Sequence, residues 1–180
     1  MNLKRKIYSL ICRLFYRELR NGEYVNGNLI KFIFWQKICR INSKARWPVH
    51  FTSKIIAPSR IKHSYLFRPL GMAVGNYIDA RNGIVVEDNV HVGPHVSIIS
   101  CNHNIEDYDL YDKTEPVVLH RNCWLATGVI ILAGVELGEH TVVGAGAVVT
   151  HSFPEGNVLI AGNPAKVIKK LPPYKVIYER

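Results

Sequence analysis

One of the eight histidines in this 180-residue sequence stands where it could do chemistry. His103 lies between Asn102 and Asn104, at the point where a regular repeat gives way to an acidic segment. An imidazole, with a pKa of about 6.5, is well matched to removing a proton from a hydroxyl or an amine at neutral pH. The other seven lie at exposed repeat positions or without an obvious partner: His50, His63, His91, His95, His120, His140 and His151. His103 is therefore the candidate general base.

Two further groups of residues could bind a ligand. The segment GAGAVV, residues 144–149, is followed by Thr150, and its small residues let a ligand approach the main chain closely. The same small residues would also suit a tight corner of the backbone. Lys166, Lys169 and Lys170 form a basic cluster that could hold a phosphate, although such a cluster is also typical of a solvated face.

The elements that position these residues are indicated by a six-residue period. Between Leu119 and Val149 an aliphatic residue returns at every sixth position: Leu119, Leu125, Ile131, Leu137, Val143 and Val149. A small or β-branched residue follows four positions later: Cys123, Val129, Val135, Thr141 and Ala147. Neither an α-helix nor an ordinary strand has this period. A left-handed β-helix does, since each hexad forms one short face of a triangular prism. We therefore predict an all-β fold, a left-handed parallel β-helix of hexapeptide repeats.

The same period recurs earlier in the chain. It begins weakly on Val49, Ile55 and Ile61, breaks over residues 66–73, and returns from Val74 for five hexads. The segment after His103 has no such phase and holds five acids, which predicts an external loop over residues 104–118. We expect an N-terminal helical cap over residues 1–48, the prism over 49–160 and a short tail over 161–180.

The N-terminal region is basic and is predicted to be helical. Residues 1–78 contain fifteen lysines and arginines against two acids, within a net charge of +9. Residues 3–20 form a basic amphipathic pattern that could lie on an anionic membrane or could cap the open end of the prism. A second helix is expected from Leu29 to about Ile41, with four core candidates: Phe32, Ile33, Trp35 and Ile38.

Cysteine usage and hydropathy limit the cellular context. The four cysteines show no CxxC pair and no disulfide-framework spacing, which favours a reducing compartment. The N-terminus lacks a signal-peptide pattern, and no stretch is apolar enough to span a membrane. We expect a cytoplasmic protein, with possible contact at the inner face of the membrane, and no nucleic-acid partner.

Residues 74–170 resemble the hexapeptide-repeat acyltransferases of the maltose, galactoside and xenobiotic O-acetyltransferase type, and especially those that acetylate bacterial surface polysaccharides. Four stretches carry the resemblance: VEDNVHVGPHVSI, the histidine of CNHN, NCWLATGVIILAGVELGEHTVVGAGAVVT, and AGNPAKVIKK. The resemblance implies direct transfer from acetyl-CoA to a sugar, without an acyl-enzyme, in a homotrimer whose sites lie between subunits.

The resemblance also implies roles for individual residues. His103 would be the general base, and a backbone N–H near Thr127 would bind the oxyanion. The coenzyme A groove would be lined by Trp124, Ala126, Thr127, Gly144, Ala145 and Thr150, with Lys166 and Lys169 facing its phosphates. The acceptor would contact Asp79, Asn82 and Asn104, although the spacing around Asp79 and Asn82 differs from that of the best-known sugar acetylases.

The preferred function is O-acetylation of a sugar in polysaccharide or glycolipid synthesis. Two alternatives stay open: N-acetylation of an amino sugar attached to a nucleotide, and a non-catalytic trimeric scaffold. A zinc carbonic anhydrase built on the same prism is disfavoured, because it requires an H-x4-H pair and no two histidines here are five positions apart. No metal is expected.

Overall fold

The computed structural model describes residues 10, 14–16, 28–64 and 68–175, with only the backbone of residues 28–30. One short α-helix, α1 (Asn28–Ile33), continues into a π-helical turn, Phe34–Ile38. The strands are β1 (Lys54–Ile56), β2 (Ile61–His63), β3 (Tyr77–Asp79), β4 (Ile84–Val86), β5 (His91–Val92), β6 (Ser97–Ile99), β7 (Val117–Leu119), β8 (Trp124–Leu125), β9 (Ile130–Ile131), β10 (Glu136–Leu137), β11 (Thr141–Val143), β12 (Val148–Val149), β13 (Val158–Gly162) and β14 (Ala165–Lys170).

The strands form three sheets that build the faces of a prism. Sheet A has the order β1-β3-β6-β9-β12, sheet B the order β10-β7-β4-β2, and sheet C the order β14-β13-β11-β8-β5. Every pairing is parallel except that of β13 with β14. The chain passes from sheet A to B to C and back to A, so the three corners can be named AB, BC and CA. This arrangement fits a left-handed β-helix and confirms the predicted fold class.

The core is the ladder that the six-residue period predicts. All six aliphatic residues from Leu119 to Val149 have an exposed fraction of 0%, and the small residues between them, including Cys123, are equally enclosed. Burying each large aliphatic side chain stabilises the fold by about 1.5–3 kcal/mol. In the earlier coils Val74 departs from the pattern, because it is 39% exposed and precedes the strand. The inward ladder resumes at Ile78, which is fully buried.

The C-terminal segment extends the prism. β13 continues sheet C across the expected boundary at residues 160 and 161, and β14 returns antiparallel to it after the turn at Asn163-Pro164. Gly162 in this turn has φ +103°, a value that favours glycine.

The external loop predicted over residues 104–118 ends slightly earlier than expected. β7 already begins at Val117, because Val117 and Leu119 pack inward.

The N-terminal cap differs from the prediction in its length and its buried face. The helical segment ends at Ile38, which was predicted to be a core residue but is 69% exposed. The buried residue is Gln36, whose amide donates to the carbonyl oxygens of Ala45 and Trp47 at 3.1 and 3.0 Å. The π-helical turn widens the spiral and directs Gln36 toward the first coil. Apolar periodicity could not have indicated a buried amide.

The predicted amphipathic helix over residues 3–20 lies outside the described residues, apart from residues 10 and 14–16. Leu10, Leu14 and Phe15 are exposed, whereas Tyr16 is fully buried and donates its hydroxyl to Gln36 Oε1 at 3.0 Å. Among the helices that the structure describes, none is long and apolar enough to cross a membrane.

Candidate active site

The residues with potential chemistry lie at two different corners of the prism. His103 follows β6 and therefore stands at corner AB, where the chain leaves the coil. Gly144 and Ala145 follow β11 and stand at corner CA. Sheet A lies between these corners, so within one chain the candidate base and the small-residue segment are on opposite edges of a face.

The tautomer of His103 is set by the loop that follows it. His103 forms an antiparallel bridge with Tyr111, and its ring centroid lies 4.4 Å from that of Tyr111. Its Nδ1 lies 2.5 Å from the carbonyl oxygen of Tyr108. A carbonyl oxygen can only accept, so Nδ1 carries the proton and the lone pair of the neutral ring lies on Nε2. Since the side chain is exposed, Nε2 can accept a proton from a bound ligand.

A partly buried ion pair packs against Tyr111, the ring that lies beside this histidine. The Asp79 side chain is 1% exposed and accepts a hydrogen bond of 2.6 Å from Nη2 of Arg81. The Asp79 hydrogen bonds raise the pKa of Arg81, so the guanidinium remains charged. Its central carbon lies 4.1 Å from the ring centroid of Tyr111, a cation–π contact. Asp79, predicted to contact the acceptor, thus faces Arg81 in this chain.

Arg81 and Tyr111 are absent from the residues predicted by sequence reasoning. The spacing Asp79-x-Arg81 was a usable signal, because the two side chains of a strand end and its turn can pair locally. Tyr111 gave no signal, since its position depends on how the loop folds back over His103.

Asn82 and Asn104 hold the loop closed. Asn82 Nδ2 donates to the Asp112 carbonyl oxygen at 2.8 Å and lies 3.0 Å from Thr114 Oγ1. Asn104 Nδ2 donates to Asp112 Oδ1 at 2.9 Å, and its own Oδ1 accepts from the N–H of Glu106 at 2.8 Å. Both amides were predicted to contact the acceptor. In the structure their hydrogen bonds are made to the loop, which they fix beside His103.

Corner CA is a stack of small residues with free backbone donors. A Cβ on Gly144 would lie 2.9 Å from Cβ of Ala161, so packing of the next coil itself requires glycine there. Within the part of the chain that the structure describes, the amide N–H groups of Thr127 and Ala145 have no protein acceptor, whereas that of Ala126 donates to Val143 at 3.0 Å. The corner can therefore receive hydrogen-bond acceptors from a ligand.

The remaining predicted coenzyme contacts are divided among three places. Trp124 lies on β8 beside corner CA and is 53% exposed, in keeping with the expected outward position. Lys166 and Lys169 are exposed on β14, at the edge of sheet C. Thr150, however, follows β12 at corner AB, and its hydroxyl lies 3.2 Å from Nδ1 of His151. Sheet A thus separates Thr150 from the predicted coenzyme contacts at corner CA.

The described cysteines offer no ready nucleophile near this site. Burial raises the pKa of Cys123 to about 12, and burial also raises the pKa of the Cys101 thiol. Since the thiolate is the reactive form, both remain protonated near neutral pH. The described residues contain no group of three or more histidine, cysteine or acidic side chains that could hold a metal ion.

Comparison with known proteins finds matches among transferases built from hexapeptide repeats. The family model "Bacterial transferase hexapeptide (six repeats)" matches residues 116–151. The galactoside O-acetyltransferase of Lactococcus lactis is 37% identical over 92 residues, which cover 49% of this chain and 44% of that protein. An Escherichia coli protein whose name describes a colanic acid biosynthesis acetyltransferase is 34% identical over 125 residues, covering 64% of this chain and 65% of that protein.

A solved structure extends the likeness over most of the chain. The maltose O-acetyltransferase of Clostridium difficile has a TM-score of 0.50 and 26% identity, covering 93% of this chain and 86% of that one. The first curated relatives are matched over about half of their length. The prism built from six-residue repeats identifies this chain as a hexapeptide-repeat protein. The chain is thus similar to acetyltransferases built on hexapeptide repeats, and its residues 116–151 match the hexapeptide transferase model.

Proposed function

We propose that this protein transfers an acetyl group from acetyl-CoA to a sugar hydroxyl, with His103 as general base. The observation that carries the proposal is the Nδ1 contact with the Tyr108 carbonyl, which leaves Nε2 as an exposed acceptor. The names of the galactoside and maltose O-acetyltransferases among its relatives support a sugar as the acceptor.

Corner CA fits the extended arm of coenzyme A. The arm carries amide groups, one of which could accept from the free N–H group of Ala145, while the N–H of Thr127 is left for the reacting carbonyl. Trp124 would form one wall of this groove, with Ala126 and Gly144 leaving room at its floor. Lys166 and Lys169 would meet the phosphates from β14. Thr150, on corner AB, would belong to the same groove only through a neighbouring chain.

His103 would act as the general base, and the N–H of Thr127 would bind the oxyanion. Acetyl-CoA, when bound, supplies an activated thioester carbonyl. His103 Nε2 takes the proton of the acceptor hydroxyl as its oxygen bonds to that carbonyl carbon. The N–H of Thr127 donates to the carbonyl oxygen as it gains negative charge. The protonated imidazole then returns its proton to the departing sulfur, which restores His103 and completes the transfer without an acyl-enzyme.

The site would be complete only in a homotrimer. Corners AB and CA lie on opposite edges of sheet A in one chain, so His103 of one subunit would meet Thr127 and Ala145 of its neighbour. In a symmetric trimer each subunit contributes both halves, giving three equal sites.

We place the enzyme in polysaccharide or glycolipid synthesis at the cytoplasmic face of a membrane. The exposed Leu10, Leu14 and Phe15 and the excess of basic residues in the first part of the chain support contact with anionic lipid. Co-sedimentation should show more protein bound to phosphatidylglycerol vesicles than to phosphatidylcholine vesicles. Equal binding to both would contradict an electrostatic contact.

Acetyl transfer can be tested with labelled acetyl-CoA and a panel of sugars bearing free hydroxyl or amino groups. We expect a labelled product that mild alkali cleaves, since esters are labile and amides are not. An alkali-stable product would instead indicate N-acetylation. If the protein neither consumes the thioester nor binds acetyl-CoA in calorimetry, the acetyltransferase proposal fails and the non-catalytic scaffold becomes the better explanation.

Replacement of His103 tests its role directly. His103→Ala should lower turnover by about 10²–10⁴ while the affinity for acetyl-CoA and the oligomeric state stay unchanged. His140→Ala is a matched control, because His140 lies at corner BC, away from both halves of the proposed site, where its Nδ1 lies 3.1 Å from Oδ1 of Asn157. Undiminished turnover in His103→Ala would remove His103 from its proposed role.

A further inference from the structure

A cationic groove lies at corner AB beside the loop that orients His103. Its basic side chains come from three successive coils of the prism: Arg60, Lys62, Arg81 and Lys113. Val85, the register partner of Lys62 on β4, forms part of its apolar floor. The groove therefore presents long basic side chains around a small apolar surface, open to solvent.

Three of these charges form no ion pair with the acidic residues that the structure describes. Arg81 is paired with Asp79, but no described carboxylate forms an ion pair with Arg60, Lys62 or Lys113. Asp112 and Glu115, which flank Lys113 in sequence, do not line the groove. Like charges held close together repel, so an arrangement of this kind favours the binding of an anion with more than one charge.

The backbone positions of the groove are firmly set. Lys62 is fixed by its place in β2, and Arg60 donates through Nη1 to the carbonyl oxygen of Arg81. Lys113 precedes Thr114, whose hydroxyl is held by Asn82 and by the carbonyl oxygen of Ser100 at 3.0 Å. The loop that orients His103 is thus also the wall that brings Lys113 to the groove.

Two ring contacts connect the groove to the candidate base. Arg81 lines the groove and stacks on Tyr111, and Tyr111 lies against the imidazole of His103. A ligand whose hydroxyl reaches Nε2 of His103 can extend past Tyr111 into the groove. The groove is then on the acceptor side, on the opposite edge of sheet A from the corner that we assign to coenzyme A.

We infer that the acceptor sugar carries a diphosphate, which binds Arg60, Lys62 and Lys113. This inference rests on the proposed function, since it takes His103 as the point of acetylation. Lysine ammonium groups bind phosphate as point charges and arginine adds a forked donor, so three cations match the charge of a diphosphate better than the single charge of a uronate. Sugars linked through diphosphate to a nucleoside or to a lipid share this chemistry.

Calorimetry with inorganic pyrophosphate tests the groove independently of catalysis. The titration is done with saturating coenzyme A, so that its own phosphate contacts are occupied. Lys62→Ala/Lys113→Ala should weaken pyrophosphate binding by about tenfold or more, because two charge-assisted contacts are lost. Lys44→Ala/Lys175→Ala removes the same charge from exposed lysines that do not line the groove and should leave binding unchanged. Equal binding by both double variants, or equal affinity for glucuronate and pyrophosphate, would overturn the inference.

The source of the diphosphate and the link to catalysis need separate measurements. UDP-N-acetylglucosamine and farnesyl pyrophosphate, titrated in parallel, distinguish a nucleotide-linked from a lipid-linked acceptor by which of them competes with pyrophosphate. Acetyl-CoA binding, measured on the same samples, reports on the proposed function alone. If acetyl-CoA fails to bind while pyrophosphate still binds the groove, the acetyltransferase proposal fails and the anion site stands. If acetyl-CoA binds and pyrophosphate does not, the diphosphate inference fails by itself.

Discussion

The orientation of His103 depends on the main chain. The Tyr108 carbonyl oxygen holds the proton on Nδ1, the Tyr111 ring lies against the imidazole, and the Arg81 guanidinium lies over the Tyr111 ring. The buried carboxylate of Asp79 stabilises the last member of this series. Proton transfer at Nε2 would therefore start from a side chain whose tautomer and position are already set, which reduces the reorganisation needed in the reaction.

Substitution of Ala145 tests whether coenzyme A binds at corner CA, as we propose. Ala145 is exposed at corner CA and its N–H has no acceptor in the described chain, so an indole there would fill the groove. Ala145→Trp should raise the KM for acetyl-CoA by about tenfold or more, because the binding surface is blocked. Steady-state kinetics at several acetyl-CoA concentrations measures this effect.

The matched control for that variant is Ala145→Ser, which keeps a small side chain and should behave like the unaltered protein. An unchanged KM in Ala145→Trp, with the fold intact by circular dichroism, would place the coenzyme elsewhere.

Some residues of the candidate site could be selected from the sequence and others could not. His103 was selected as the candidate base because it ends a regular repeat, a feature visible in the sequence alone, and its role stays a prediction. Tyr111 was missed because its contacts with His103 and Arg81 depend on how a loop without periodicity folds back, whereas the local pair of Asp79 and Arg81 could have been read from the sequence. The same loop explains why Asn82 and Asn104, predicted to touch the acceptor, have hydrogen bonds to the loop itself.

A second histidine stabilises the prism at the level of its coils. His120 follows β7 at corner BC, with Nδ1 3.0 Å from Glu87 and Nε2 2.8 Å from Glu136. The three residues come from three successive coils, so the ion pairs connect them along the prism. Partial burial lowers the pKa of His120, but the hydrogen bonds to Glu136 and Glu87 outweigh this effect and raise the pKa above its ordinary value.

The raised pKa makes this contribution dependent on pH. A histidine whose pKa is higher in the folded state stabilises the fold fully below its unfolded pKa, and the effect is lost as pH rises through the folded pKa. All three side chains are partly exposed, so the contribution should be only about 1 kcal/mol or less. His120→Gln should therefore lower Tm by about 1–4 °C near pH 6, and by less at pH 9.

Thermal unfolding at the two pH values, compared between variants, measures this difference. His140→Gln is the control, because His140 lies at the same corner and contacts the amide of Asn157 instead of a carboxylate. A Tm difference for His120→Gln that grows with pH would show that the sign of the pKa argument is wrong.

The elements could be predicted from the sequence wherever the six-residue period was strong. From Leu119 to Val149 every predicted inward residue is buried, because each coil repeats the same spatial requirement. The prediction was weaker at the ends of the prism, where single contacts replace repetition. The π-helical turn with buried Gln36 and the hairpin of β13 with β14 depend on hydrogen bonds and a turn that no periodicity reports.

For the whole molecule, the separation of the two corners is the reason that we propose a site shared between subunits. Corner AB holds His103 and the cationic groove, while corner CA holds the free backbone donors of Thr127 and Ala145. Sheet A separates them within a chain. The family resemblance implied sites between subunits, but the six-residue period by itself does not indicate which corner of the prism holds which half of the site.

The most direct test of the account combines the two halves of the site in mixed trimers. His103→Ala and Ala145→Trp chains, carrying different tags, are co-expressed and purified through both tags, so that every trimer contains both variants. Each such trimer has one interface at which an intact His103 meets an intact corner CA. With acetyl-CoA well below its KM, we predict about a tenth or less of the unaltered acetyl-transfer rate for either variant alone, and about one third of that rate for the mixed trimers. Mixed trimers that are no more active than the separate variants would contradict a site shared between subunits.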